Sequence, residues 1–443
     1  MIEHGDGGVL PEKTPDGFQQ HPDRVILNNE VHSRPFVAIN SPARCTNIAM
    51  LHGSETAAEE WGHIERLCDH FGVPIPSPVA NHLIIDFGTF QLKWERHTEF
   101  SSYTFIREGA GKAPFRETAL TVIPEKWLAT LPGQMLVGVH LLVTKCSWEN
   151  GYNPDEIRDI FGTHAIVGAW VSSNGATAWT DFRLHGDGFS RILVNNVSLK
   201  ERQTGRLLQR LWEIETYRMM SLLSMSLTRR VGDKTRTIEL ELAENVSKMA
   251  NVRDAEQEQR LLEILTRLAA QVEQLSAETS FRFNASKAYY ALVLERVENI
   301  KENSIEGIQR ISSFIDRRLG PAMRTVKSMD DRIAILSQRV NRASNLLQTR
   351  INTTLQAQNK ELLKSMDRRA RLQLRLQQTV EGLSVVAISY YALGIINIVA
   401  KAGAKLWPVF EPILITAAGV PVVIGVVYLG VHRMRKVIMR SGK

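Results

Sequence analysis

LSVVAISYYALGIINIVA (Leu383–Ala400) and PILITAAGVPVVIGVVYLGV (Pro412–Val431) decide how the rest of the chain is read. Neither stretch holds an Asp, Glu, Lys, Arg or His. A helix needs about 20 apolar residues to cross a bilayer core, and both stretches approach that length. The connector KAGAKLWPVFE (Lys401–Glu411) is short, so the pair predicts a transmembrane hairpin. Asn397 lies inside the first span and Pro421 interrupts the second. A polar residue at such a depth lines a pathway or bonds to a neighbouring helix.

Working outward, the flanks are basic. Lys364, Arg368, Arg369, Arg371 and Arg375 precede the first span, and Arg433, Arg435, Lys436, Arg440 and Lys443 follow the second; the connector carries Lys401 and Lys405. The bias of Lys and Arg toward the cytoplasmic side predicts that the N-terminal part and the tail both face the cytoplasm. The opening MIEHGDGGVL lacks the charged-then-apolar pattern of a signal peptide. Cys45, Cys68 and Cys146 show no paired spacing, as expected in a reducing compartment. The formal net charge of +7 includes this basic collar, which suits anionic headgroups. No aromatic-basic RNA motif or zinc-finger spacing accompanies it, so nucleic acid is not an expected partner.

Eleven of the twelve histidines lie at or before His185, which separates a mixed front from a helical back. Residues 1–20, rich in Gly, Pro and Asp, read as a flexible N-terminus. Residues 21–197 read as an α/β domain with a mixed, largely antiparallel sheet. Its expected strands are VILNN (Val25–Asn29), a long strand over His82–Phe100 with its partner Ser101–Glu108, Met135–Thr144, His164–Ser172, Ala176–Leu184 and Phe189–Asn196. Asn174-Gly175 between two strands is a hairpin signal. Helices are expected from a Ser54 cap to about Phe71, over Pro124–Leu131, and from Asn153-Pro154. Ser198 to Glu201 reads as a capping box that opens a helical region over 198–320. Breaks are expected at Lys301–Ser304 and at Gly320-Pro321, with a stalk helix over 321–382 and a basic tail over 432–443. Continued through Ala400, that stalk holds about 80 residues and spans on the order of 120 Å. Val326, Met329, Ile333, Leu336, Val340, Ala343 and Leu347 alternate in threes and fours, a coiled-coil pattern. Its partner is a second subunit or the preceding helix of the same chain, Leu262–Val297; a helix of such length predicts a homo-oligomer.

Period-2 alternation places Glu95, His97 and Glu99 on one strand face, and Asp181, Arg183 and His185 on another. Together with Glu30, His32 and Arg34 they form a candidate polar pocket for a divalent cation or an anionic ligand. The competing expectation is a solvated or intersubunit sheet face on which Arg34 and Arg183 pair with the acids. No Walker loop, HExxH or GxSxG occurs, and no enzymatic activity is expected. Ser384, Tyr391 and Asn397 are the candidate pore-lining residues of the first span.

The order of cytosolic α/β domain, helical region, long stalk helix, two C-terminal spans and basic tail resembles the CorA-type magnesium transporters. That resemblance implies a pentamer whose first span lines a pore for a divalent cation such as Mg²⁺. The place of the CorA Gly-Met-Asn motif is taken here by Gly394-Ile395-Ile396-Asn397. NEVHSRP (Asn29–Pro35), WERHTEF (Trp94–Phe100), WTDFR (Trp179–Arg183) and VEGLSVVAISYY (Val380–Tyr391) resemble a bacterial family of uncharacterised membrane-anchored proteins known as a domain of unknown function. This resemblance spans most of the chain and implies an anchor in the bacterial inner membrane. The sequence therefore reads as a membrane-anchored oligomer with a cytosolic sensor or binding domain on a helical stalk. A divergent CorA-like divalent-cation transporter is the alternative.

Overall fold

The computed structural model describes residues 18–19, 21–24, 27–28, 36–53, 56–75, 81–146, 151–252, 254–404 and 412–441. The chain divides into two compact units: residues up to Asn251 with Glu263–Arg342, and Val252–Leu262 with Ala343–Lys443.

The first unit is built on one eight-stranded sheet. Its strands are β1 (Ala43–Leu51), β2 (His82–Asp86), β3 (Gln91–Arg96), β4 (Phe100–Glu108), β5 (Gln134–Lys145), β6 (Val167–Val171), β7 (Ala176–Thr180) and β8 (Ser190–Asn196). The order is β2-β3-β4-β1-β5-β8-β7-β6, and β5 with β8 is the parallel pair in an otherwise antiparallel sheet. The mixed, largely antiparallel sheet expected from the sequence is present. Two of its expected strands need correction. The single strand over His82–Phe100 is two strands, because Asp86 Oδ1 accepts the Gly88 N–H at 2.8 Å and Gly88 takes φ 77°, a turn geometry glycine adopts freely. The strand expected at VILNN is not seen in its described residues, where Leu27 and Asn28 are helical and Leu27 N–H bonds Asp23 O at 2.8 Å.

The two faces of the sheet bury different chemistry. One face carries Ile48, Leu92, Trp94, Tyr103 and Phe105 under helix α1 (Ala57–Phe71) and the short α2 (Glu125–Ala129). Thr56 caps α1, in place of Ser54, which lies outside the described residues. Its side chain accepts from Glu59 N–H at 3.2 Å while Glu59 accepts from Thr56 N–H at 2.5 Å. The opposite face carries Asn47, Lys93, Glu95, Ser102 and Thr104, all buried. Helix α4 (Glu201–Leu222) covers this polar layer, with Thr216 bonding Asn47 and Gln209 accepting from Lys93. The close approach of α4 depends on Gly205, where a Cβ would lie 1.8 Å from the Val37 carbonyl oxygen. Its N-terminal box runs from Lys200, whose N–H is accepted by the Gln203 side chain at 2.9 Å, rather than from Ser198. Helix α3 (Pro154–Phe161) packs Ile157 and Phe161 against Trp179 and Leu193 in a second core.

Helices α5 (Ser224–Met249), α6 (Ala255–Asn299) and α7 (Ile311–Ala404) follow. The segment between α6 and α7 lies along the edge strand: Asn303 exchanges backbone hydrogen bonds with Trp170 at 2.8 and 3.0 Å, and Gly168 donates to Gln309. It covers donors and acceptors that an open edge would expose. The break expected at Gly320-Pro321 is absent. Helix α7 starts ten residues earlier and runs through Pro321, because Ile311, Ile315, Leu319, Met323 and Val326 form a buried stripe on both sides of it. Burying several such side chains at about 1.5–3 kcal/mol each outweighs the roughly 3 kcal/mol of an interior proline. Within the first unit the seam residues Val326, Ile333, Leu336 and Val340 are buried by the same chain. Arg332 pairs with Glu239 of α5, and Lys287 of α6 with Asp330.

In the second unit the end of α7 and helix α8 (Pro412–Ser441) include the two apolar stretches. Gly419 of α8 sits against Ile396 of α7, with a built Cβ 3.8 Å from the Ile396 side chain. Many apolar side chains of both stretches are exposed, among them Leu383, Val386, Ile398, Ile413 and Leu429.

Candidate functional site

The sequence-derived candidates that fall among the described residues do not come together in one site. Glu30, His32 and Arg34 lie outside the described residues. Glu95, His97 and Glu99 do not share a strand face, because β3 ends at Arg96 and His97 N–H closes a turn onto Phe100 O at 2.8 Å. Glu95 instead shares its face with Lys93, at 3.1 Å, and both are buried. His97 stacks on Phe100 with centroids 4.3 Å apart, and Glu99 pairs with Arg282 of α6. A polar cavity of about 180 Å³ lies here, lined by Glu95, His97, Ser102, Gln209, Glu213 and Arg296. Glu213 and Arg296 are themselves paired. The carboxylates of the wall are neutralised by fixed cations, so the cavity offers a balanced polar lining. At its margin Tyr289 has its hydroxyl pushed up by burial and by the Glu99 carboxylate.

On the opposite face, helix α1 buries Glu60. Its carboxylate takes Trp94 Nε1–H at 3.3 Å, Ser101 Oγ–H at 2.5 Å and the Arg96 guanidinium, with His52 Nε2 at 3.4 Å. Sequence reasoning missed this cluster: Glu60 stands among the acids of a helix first turn, where exposure is the usual case. One turn on, His63 stacks on Trp127 at 4.4 Å, and burial, aided by Arg66, pulls its imidazole down to about 4.

A third place joins Asp181 and His185 to a residue the strand pattern did not select, His164. Strand β7 stops at Thr180 and the chain bends sharply. Thr180 Oγ1 accepts the Phe182 N–H at 3.1 Å, Asp181 Oδ1 accepts the Arg183 N–H at 3.2 Å, and Phe182 takes φ 53°. A non-glycine residue in that region is held there by its surroundings. Phe182 stacks on Phe314 of α7, centroids 4.6 Å apart and planes 7° apart, with the Arg218 guanidinium 5.4 Å from its ring. The bend turns the Asp181 carboxylate inward, where it is fully buried. His164 Nδ1 lies 2.7 Å and His185 Nε2 3.2 Å from Asp181 Oδ2. The backbone fixes His185 as well: its N–H donates to Phe189 O and its carbonyl accepts from Gly188, both at 2.9 Å. Arg183, expected to share this face, gives only its backbone N–H and leaves its side chain exposed. The hairpin register held the missing signal. Val167 faces Thr180, so counting outward from Asn174-Gly175 places His164 diagonally across from Asp181.

The candidate pore residues separate too. Ser384 and Tyr391 are exposed on the outer side of α7, and Asn397 is half-buried. The buried polar side chain of the span is Ser389, whose hydroxyl has no partner among the described residues.

A family model described as "Protein of unknown function (DUF3422)" matches residues 19–438, and the chain belongs to that family. No match was found among curated proteins or among solved structures.

Proposed function

We propose that this DUF3422 chain is a membrane-anchored binding protein, in which a C-terminal helical hairpin crosses the bacterial inner membrane and tethers the α/β domain at its cytoplasmic side. The observation that carries this reading is exposure. The most apolar windows of the two candidate spans are 6% and 0% buried by the rest of the chain. A core helix of the same composition is buried; these present Leu383, Val386, Ile398, Ile413 and Leu429 outward. At about 1.5–3 kcal/mol for each such side chain, water is a poor solvent for this surface and hydrocarbon a good one. The basic flanks support this orientation. Tyr390, 75% exposed, and Tyr391 stand near the middle of the first span, and their hydroxyls find partners there if a second copy packs against them. A homo-oligomer is the assembly that would supply those partners.

The test is extraction and labelling of the full-length chain. Alkaline carbonate should leave it in the membrane pellet, and a membrane-impermeant thiol reagent applied outside whole cells should label Lys401→Cys but not Ser441→Cys. Release by carbonate, or labelling of Ser441→Cys, would sink the reading. A second reading, passage of a divalent cation along the first span in the manner of CorA-type transporters, is favoured by the same mid-span tyrosines together with Asn397. Mg²⁺ flux into proteoliposomes that is lost in Asn397→Leu would establish it, and membranes that stay tight would exclude it.

A further inference from the structure

We propose that His164, Asp181 and His185 bind one divalent transition-metal ion, of the zinc, manganese or iron(II) kind. The proposal goes beyond the membrane anchor and does not depend on it. The one nitrogen of each imidazole and the one carboxylate oxygen that converge all lie within 4.8 Å of one another. Ligand atoms about 2.1 Å from a metal stand roughly 3.0–3.4 Å apart in octahedral or tetrahedral arrangements, so little side-chain rotation closes this triangle on an ion.

The charge balance points the same way. Buried carboxylates elsewhere in the domain carry a permanent cation: Arg96 on Glu60, Lys93 on Glu95, Arg218 on Glu215. Asp181 meets two imidazoles and a backbone N–H, neither of which is a fixed positive charge. A carboxylate fully withdrawn from water is stabilised by a cation at its oxygens, and a metal ion held also by two neutral imidazoles is the strongest such partner the geometry admits.

The arrangement is preorganised and open at once. The three donors come from the α3–β6 connection and from the turn between β7 and β8, segments fixed by the β6–β7–β8 ladder. The Arg183 N–H on the second carboxylate oxygen and the Phe182–Phe314 stack hold the carboxylate from behind, as outer-layer partners do in metal sites. The His164 side chain is 38% exposed, which leaves one side of the triangle open to water or to a ligand. Three protein ligands with an open position is the pattern of exchangeable or catalytic centres, whereas structural sites close all four. Two imidazoles and one carboxylate suit borderline transition metals; Mg²⁺ and Ca²⁺ prefer oxygen throughout.

The experiment uses the full-length chain purified in detergent and stripped with chelator. Co²⁺ is titrated while its visible ligand-field bands are followed, with Zn²⁺ and Mg²⁺ as competitors. The expected result is saturation at one Co²⁺ per chain, displacement by Zn²⁺, and no displacement by Mg²⁺ at the same concentration. His164→Gln and His185→Gln should each weaken binding by about 100-fold or more, since even the outer-layer partners of a metal ligand are worth roughly 10–100-fold. His70→Gln, on the exposed side of α1, should leave it unchanged. His164 is partly exposed, so its substitution should keep the fold, checked by circular dichroism. Absence of saturable binding, binding indifferent to both histidine changes, or displacement by equimolar Mg²⁺ would overturn the proposal. The carbonate extraction is blind to the metal, so failure here leaves the anchor reading where it stands.

Discussion

Glu60 and Asp181 are buried carboxylates set against two regions of one sheet, and they are compensated in opposite ways. Glu60, on the buried side of α1, lies beside the Arg96 guanidinium, with Trp94 and Ser101 donating to the same group. Its counter-charge is built into β3. Asp181, at the end of β7, has two histidines, side chains that supply positive charge only when protonated or when they share a metal. The first region reads as architecture and the second as a place whose charge is set from outside. A buried acid therefore points to a ligand when its neighbours are good metal donors and poor permanent cations.

The largest expected effect breaks the first region. Arg96→Met leaves Glu60 without its cation and should lower stability by about 3–5 kcal/mol, read by denaturant unfolding of the full chain. Asp181→Asn should cost about 1–3 kcal/mol, the range for a hydrogen-bonding group left imperfectly paired. Equal losses would erase the contrast. Next in size, Zn²⁺ at 100 times its dissociation constant should stabilise the native chain by about 2.7 kcal/mol and shift the midpoint upward, with no shift in His164→Gln. Acid titration gives an effect of definite sign. Burial, modulated by Asp187 and Arg191, pulls the His140 imidazole down to about 4, and His63 is lowered likewise. Both are neutral when folded and bind protons more readily when unfolded. Their contribution is complete above about pH 6.5 and falls away toward pH 4, at up to about 1.4 kcal/mol per pH unit for His140. His140→Gln should flatten that slope, measured by unfolding at several pH values. Smallest of all, Phe182→Gly relieves a left-handed backbone while losing a ring stack. Stability should move by no more than about 1 kcal/mol, while Co²⁺ affinity drops by roughly 10-fold as the carboxylate loosens.

Much of the fold was legible because its signals are local. The two long apolar helices announce themselves by the absence of charge, the β6–β7 hairpin by Asn174-Gly175, and α3 by Asn153-Pro154. The turn over Asp86–Phe90 was hidden because Phe87 and Phe90 stay apolar and stack in the core, which makes a turn look like a continuing strand. Glu95 was read with His97 and Glu99 as a candidate pocket or an uncovered sheet face, since nothing in β3 itself tells that α4 will cover it. The same limit applies to the site. Asp181 and His185 were picked out by an expected strand alternation that in fact ends at Thr180, His164 required the hairpin register, and Arg183 was lost with that alternation. Pro321 shows the converse, a strong local breaker overruled by a buried stripe on either side of it.

The order of these elements along the chain has a consequence for how the protein is made. The last sheet strand ends at Asn196 and the first span begins at Leu383, so about 190 residues, or roughly 10–40 s of synthesis, separate the two. The parallel β5–β8 pair, a slow non-local closure that encloses the β6–β7 hairpin, has that interval in which to form before the apolar helices exist. Under the anchor proposed above, biogenesis delivers a finished sheet to the membrane, and the hairpin acts as a late address label on a folded cargo.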